Sequence, residues 1–223
     1  MKILFLGCSW TNGCELGYNE DKEKYRFSSI VGRRLNAEVV NLAVDGCSNH
    51  AIARTFLEED LSQYNRVYVQ MTMPNRFEWY DPTGKSQIVK LNEKIKKCTN
   101  KKDIERLEKE ISNSVYPQWD RILSNKKRFM TTGNILEGKE WWIRFFEDIY
   151  DSKLGQCEEN MYFHLFKNRL TVLNIPHLIF SINPRIKLPI DLQLESKKYP
   201  REMGTHPTKI GHVMIASDIL KLL

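Results

Sequence analysis

A short apolar segment near the start of the chain, residues 3–6, constrains the fold more than any other stretch. It ends in Gly7, and Ser9 follows two residues later. An apolar run that stops at a glycine predicts a buried strand followed by a tight turn. Ligands of open parallel α/β sheets bind in the turns at the carboxyl ends of the strands. Ser9 is therefore placed where a nucleophile is useful, although a serine there also suits a helix cap.

Two later segments repeat this pattern of strand and turn. Residues 37–43 predict a second buried strand before a turn centred on Gly46, and residues 66–71 predict a third strand. Residues 25–35 and 50–62, which lie between the strands, have the apolar spacing of amphipathic helices. Alternating strands and helices predict an α/β fold with a parallel sheet, and right-handed crossovers place all three turns at its carboxyl edge.

The second half of the chain returns to this pattern after a different middle region. Residues 140–174 are rich in aromatic side chains and predict a long helix or helix pair, with most aromatics in the core. Residues 176–182 predict another strand, and residues 183–203 are interpreted as irregular. A terminal helix is predicted at 207–223, where Pro207 suits the first helical turn.

The positive charge of the chain is concentrated in the middle region. The formal net charge is +6, and residues 85–128 contain 13 Lys or Arg against 6 Asp or Glu. We predict one domain over residues 1–223, with a basic, mainly helical insertion at 85–138. Contact of this insertion with nucleic acid or another polyanion is an alternative, but a lysine-rich helix is more often a solvated face, lid or packing element.

Cysteine usage and hydropathy indicate the compartment. Five cysteines without a C-x-x-C pair predict neither a disulfide framework nor a metal site, and nothing predicts a cofactor. The chain has no run of eighteen apolar residues, and its first apolar run is too short for a signal-peptide core. We therefore expect a cytoplasmic protein without membrane contact.

A histidine near the end of the chain completes a candidate catalytic pair. His206 lies between the last predicted strand and the terminal helix, so it reaches the same sheet edge as Ser9. A serine hydroxyl becomes an effective nucleophile when a base accepts its proton. Backbone N–H groups of Ser9 and of the Gly46 turn are candidate donors to a tetrahedral oxyanion.

Three blocks of sequence resemble a known family. These are Gly7-Cys-Ser-Trp-Thr11, Asn41-Leu-Ala-Val-Asp-Gly-Cys-Ser-Asn49, and His206-Pro207 followed by Gly211-His212. They are similar to the first, second and last blocks of the SGNH (GDSL-like) hydrolases, most of all to small forms from phage and bacterial glycan gene clusters. The resemblance implies a flavodoxin-like three-layer sandwich, with Ser9 as nucleophile, Gly46 as oxyanion donor and His206 as base.

The sequence departs from the family pattern at two points. The third block lacks its usual Gly-x-Asn, so Asn75 and the Thr72 hydroxyl are the candidates for the remaining oxyanion donor. The family's catalytic Asp precedes the His by about three residues, but Met203 holds that position here. Glu202 is the nearest acid and is the candidate for the task of orienting His206.

Two hypotheses of function follow. The first is a serine esterase that hydrolyses a small ester, on family resemblance an acetyl ester on a carbohydrate, with Asn49 and Arg76 as candidate substrate-binding residues. The second is a binding protein on an SGNH scaffold that has lost efficient catalysis and contacts a polyanion through its basic insertion. The missing Asp and the insertion favour the second hypothesis, whereas the three ordered blocks favour the first.

Overall fold

The chain divides into two units. The structure is a computed structural model that describes residues 1–16, 20–74, 76, 78–80, 94–95, 100, 102–106, 129–131, 152–195, 197–201 and 206–223. One unit comprises Met1–Glu78 and Thr131–Leu223, and the other comprises Trp79–Met130. Most of the predicted insertion at 85–138 lies outside the described residues, so its helical character and its boundaries stay a prediction. No helix among the described residues is long and apolar enough to cross a membrane.

The larger unit is built on a five-stranded parallel sheet. The described strands are β1 (Lys2–Leu6), β2 (Glu38–Asn41), β3 (Arg66–Met71), β4 (Glu78–Tyr80), β5 (Phe129–Thr131), β6 (His177–Ser181) and β7 (Leu192–Gln193). The central sheet has the order β2-β1-β3-β6-β7 with every pair parallel, while β4 and β5 form a separate two-stranded sheet. Counted within the central sheet alone, the order is 2-1-3-4-5, which is the flavodoxin-like order.

Helices cover the sheet in two packed pairs. The described helices are α1 (Ser9–Asn12), α2 (Glu20–Tyr25), α3 (Phe27–Arg34), α4 (Asn49–Glu58), α5 (Ser152–Val172) and α6 (Lys209–Leu220). Helix α3 packs against α6, and α4 packs against α5. Right-handed crossovers in this strand order place the two pairs on opposite faces of the sheet. The predicted α/β three-layer architecture with a central parallel sheet is therefore confirmed.

Buried aromatic rings join these layers. Phe27 of α3 contacts Phe5 and Phe180 of the sheet edge-to-face, with ring centroids 6.1 and 6.0 Å apart. On the other side Phe56 of α4 meets Phe166 of α5 at 5.1 Å. All five rings are fully buried, and each contributes on the order of 2 to 3 kcal/mol by leaving water. The sheet interior is thus rigid enough to hold the turns at its edge.

Two elements differ from the sequence prediction. Strand β7 lies within residues 183–203, which were predicted to be irregular. It is two residues long. Asp191, which directly precedes it, is held to β6 because its carboxylate accepts a hydrogen bond from Ile179 N at 2.6 Å. Helix α2 occupies part of residues 10–24, a polar and charged segment whose sequence predicts a loop. Such short elements form through tertiary contacts, so they leave no hydrophobic period in the sequence.

His212 of α6 lies in the core as a neutral ring. It is 0 % exposed, it stacks on Phe27 at 5.7 Å, and its Nδ1 accepts a hydrogen bond from Phe27 N at 3.3 Å. Burial lowers the pKa of His212 from 6.5 to about 3, and the charge of His206 adds to this shift. These contacts give His212 a structural role in the core.

This burial predicts acid sensitivity of the fold. The unfolded chain protonates His212 near pH 6.5 while the folded chain does not, so its contribution to stability is lost as pH falls from 6.5 towards 3. Between pH 7 and pH 5 we expect it to lower the free energy of unfolding by about 2 kcal/mol. Urea denaturation at the two pH values should show a smaller change in His212→Phe than in the wild type.

The exposed His164 supplies the control for this measurement. His164→Gln should keep the pH dependence of the wild type, because this substitution leaves the buried ring of His212 unchanged. An identical pH dependence in His212→Phe and the wild type would contradict the assignment.

Candidate active site

The turn after β1 requires a glycine because side chains close over it. A Cβ on Gly7 would lie 2.6 Å from Thr11 Oγ1 and 2.8 Å from Gln70 Cβ. Contacts this short do not occur without movement of the neighbours. The absence of a side chain at Gly7 therefore lets α1, which begins at Ser9, fold back tightly against β3.

Gln70 holds the residues on both sides of Ser9. Its side chain is fully buried at the carboxyl end of β3. Its Oε1 accepts hydrogen bonds from Thr11 N at 3.1 Å and from Thr11 Oγ1, and its Nε2 donates to Cys8 Sγ at 3.0 Å. Sequence reasoning missed this residue, and the signal for it was a single amide in an otherwise apolar strand end.

The structure brings Ser9 and His206 into direct contact. Ser9 Oγ lies 2.8 Å from His206 Nε2, although the two residues are 197 positions apart in the chain. Ser9 is only 3 % exposed, because it sits in the first turn of α1 against the sheet. This is the distance over which a general base takes a proton from a serine hydroxyl.

Helix α6 fixes the segment that carries His206. Thr208 caps this helix, with its side chain accepting from Gly211 N at 3.3 Å and its own N–H donating to Pro200 O at 2.9 Å. A Cβ on Gly211 would lie 2.5 Å from Pro200 O, so the glycine permits this close approach. The segment before α6 is therefore anchored directly beside His206.

The turn predicted to supply a second oxyanion donor lies beside the first turn. Val44 N donates to Gly7 O at 3.1 Å, and the Asn41 side chain donates to Thr11 O at 2.9 Å. Gly46 has a φ of 73°, a left-handed conformation that favours glycine. The N–H groups of Ser9 and Gly46 donate to no acceptor within the part of the chain that the structure describes.

The other predicted site residues contact Thr72, which follows β3, or fall outside the described residues. Asn49 is buried, and its amide pairs with the Thr72 backbone, accepting from Thr72 N at 2.8 Å and donating to Thr72 O at 3.1 Å. Arg76 donates to Thr72 Oγ1 at 2.8 Å. Asn75 and Glu202 fall outside the described residues. Roles for these four residues in substrate or oxyanion binding and in orienting His206 stay predictions.

Two buried ionisable groups lie close to this site. Asp45 is 7 % exposed, and burial raises its pKa above the usual value, against the opposing effects of Asn12, Lys22 and other neighbours. Lys22 is 8 % exposed, and burial lowers its pKa while the charge of Asp45 opposes the shift. The sequence analysis assigned no role to either group.

The contacts of Gln70 predict a large effect of its removal. Gln70→Ala should lower the free energy of unfolding by about 3 kcal/mol, because it leaves a cavity and strands the buried Thr11 N–H without an acceptor. Urea denaturation of the purified variant measures this change. Gln63→Ala, at an exposed glutamine, is the matched control and should change stability by less than about 0.5 kcal/mol. Equal losses in the two variants would contradict the role of Gln70.

Comparisons with known proteins find similarity among solved structures only. No family model and no curated protein matches the chain. A structure described as a lipolytic protein of the G-D-S-L family from Desulfitobacterium hafniense DCB-2 matches with 16 % identity over 100 % of this chain and 99 % of that one, with a TM-score of 0.37. The acetylxylan esterase Axe2 from Geobacillus stearothermophilus matches with 12 % identity over 99 % and 93 %, with a TM-score of 0.38.

A third similar structure is LAE5, an alpha/beta hydrolase from the metagenome of Lake Arreo. Its identity is 11 % over 99 % of this chain and 94 % of that one, with a TM-score of 0.38. TM-scores this low carry no argument about fold or activity, so the fold rests on the strand order described above. The three sequence blocks are the features of this chain that resemble the SGNH (GDSL-like) hydrolases, and the Ser9–His206 contact joins the first block to the last.

Proposed function

We propose that this protein is a serine esterase of the SGNH kind. The proposal is carried by one observation, the 2.8 Å contact between Ser9 Oγ and His206 Nε2. The site also has two backbone N–H groups, of Ser9 and Gly46, that donate to no described acceptor. A nucleophile, a base and oxyanion donors are the parts that acyl transfer requires.

The first half of the reaction forms an acyl-enzyme. Ser9 Oγ attacks the ester carbonyl carbon, and its proton passes to His206 Nε2. The carbonyl oxygen becomes an oxyanion, to which the N–H groups of Ser9 and Gly46 donate hydrogen bonds. The carbon–oxygen bond of the alcohol then breaks, and His206 returns the proton to the leaving alkoxide oxygen.

The second half releases the acid. Water attacks the acyl carbon of the Ser9 ester while His206 Nε2 accepts its proton. The same N–H donors stabilise the second oxyanion, and collapse of this intermediate returns the proton from His206 to Ser9 Oγ. The products are one carboxylic acid and one alcohol, and the enzyme is restored.

A small acyl group suits this site best. Ser9 is almost fully buried, which leaves little room for a long acyl chain at the nucleophile. The choice of acetyl, and of a carbohydrate as the alcohol, rests on the resemblance of the sequence blocks. Asn49 and Arg76 are proposed to contact the substrate, since both lie at the carboxyl edge of the sheet beside Thr72.

A serine-reactive probe and a small ester test the proposal directly. The wild type should react with a fluorophosphonate at Ser9 and hydrolyse p-nitrophenyl acetate. Ser9→Ala should lose the labelling and reduce kcat by about a thousandfold or more, because it removes the hydroxyl that forms the acyl-enzyme. Ser217→Ala, at an exposed serine of α6, is the matched control and should behave as the wild type.

Two results would contradict the esterase proposal. One is hydrolysis that continues undiminished in Ser9→Ala. The other is a folded wild type that neither reacts with the probe nor turns over the ester. The second result would leave the alternative of a binding protein on an SGNH scaffold.

We further propose that Ser9 and His206 work as a dyad. Glu202 lies one residue away from the family's position for the orienting acid, and Gly204 follows it closely. Glu202→Gln should therefore lower kcat on p-nitrophenyl acetate by less than about tenfold. A loss of a hundredfold, about 2.7 kcal/mol of barrier, would show instead that Glu202 replaces the missing Asp.

A further inference from the structure

A buried hydrogen bond joins the two turns of the candidate site. Asn12 Nδ2 donates to Asp45 Oδ1 at 2.8 Å, and the residues are 0 % and 7 % exposed. Asn12 lies three residues after Ser9 on α1, and Asp45 directly precedes Gly46. The bond therefore connects the segment of the nucleophile to the turn of the second oxyanion donor.

This hydrogen bond requires a buried carboxyl group, which lowers the stability of the fold. Burial disfavours the ionised carboxylate and raises the pKa of Asp45, while the bond from Asn12 and the charge of Lys22 counteract it. The thiol of Cys14 and the charge of His206 act in the same direction as Asn12. Apolar side chains of similar size often stabilise a core as well as or better than a buried charged group. A function in the candidate site would explain why Asp45 is buried here, whereas packing alone does not.

We propose that Asn12 and Asp45 are positioning residues that set the distance between Ser9 Oγ and the Gly46 N–H. The proposal rests on the esterase function proposed above. An oxyanion donor acts at 2.7–3.1 Å from the oxygen, and a misplacement of about 1 Å can cost a hundredfold in rate. The Asn12–Asp45 bond resists such a displacement, because it ties α1 to the residue next to Gly46.

The proposal predicts a specific kinetic signature. The oxyanion forms only as the reaction proceeds, so a displaced donor lowers kcat and leaves KM nearly unchanged. Loss of either partner breaks the same bond, so the double variant should be no worse than the more damaged single variant. A residue that only stabilised the fold would instead lower the fraction of folded protein without changing the kcat of the folded enzyme.

The experiment measures p-nitrophenyl acetate hydrolysis by four variants of the full chain. Asn12→Ala, Asp45→Ala and the double variant should lower kcat by about 10- to 100-fold, with KM within about threefold of the wild type. Asp45→Asn keeps an acceptor for Asn12 without the charge, so it should retain kcat within about threefold. Circular dichroism at the assay temperature gives the folded fraction, to which kcat is normalised.

The chain offers a matched control in a second buried pair of the same chemistry. Asn183 Nδ2 donates to Glu159 Oε1 at 2.7 Å, and both residues are nearly inaccessible to solvent. Glu159→Ala should destabilise the fold comparably and leave the normalised kcat unchanged. If Asp45→Ala does not fold, Asp45→Glu tests the same geometry, because its extra methylene shifts the turn and should lower kcat.

The outcomes separate this proposal from the proposed function. A wild type without Ser9-dependent turnover overturns both. An active wild type with folded Asn12→Ala and Asp45→Ala variants that keep kcat within about threefold overturns the positioning role alone. An equal loss of normalised kcat in Glu159→Ala also overturns it, since the effect would then not be specific to the two turns.

Discussion

The contact between Ser9 and His206 depends on the strand order of the central sheet and on the packing of the terminal helix. The two residues are 197 positions apart, and only a sheet of defined strand order brings them within 2.8 Å. Strand β1 lies between β2 and β3. The turn after β1 therefore lies at the topological switch point, where the strand order reverses. The terminal segment returns to this edge because α6 packs beside α3. The buried core thus serves to hold two side chains from opposite ends of the chain together.

Buried amide side chains bind several of the segments that surround this contact. Gln70 bonds to residues on both sides of Ser9, Asn49 pairs with the Thr72 backbone, and Asn12 reaches Asp45. A buried polar group is stable only when its hydrogen bonds are made, so each amide permits essentially one local arrangement. Rigidity of this kind would serve the proposed acyl transfer, because preorganised hydrogen-bond donors need no rearrangement when a substrate binds.

The buried carboxyl groups and the buried His212 have opposite effects on the pH dependence of stability. Burial raises the pKa values of Asp45 and Glu159, so the stability that they contribute is present at low pH and is lost as pH rises through the raised values. Burial lowers the pKa of His212 to about 3, so its contribution is lost as pH falls below 6.5. The carboxyl groups therefore reduce stability as pH rises, and His212 reduces it as pH falls. Asp45 lies in the turn that carries Gly46, whereas His212 lies in the core.

The sequence by itself determined the parallel α/β fold. Buried strands appear as short apolar runs and amphipathic helices as apolar residues three or four positions apart, so their alternation is visible in the sequence. It also singled out Ser9 and His206, since a glycine-ended strand and a helix-entry segment place side chains at one sheet edge. Tertiary structure alone decided strand β7, the hydrogen bonds of Gln70 and the Asn12–Asp45 hydrogen bond. The physical reason is that these features rest on single hydrogen bonds between distant segments, and one polar residue in an apolar stretch does not reveal its partner.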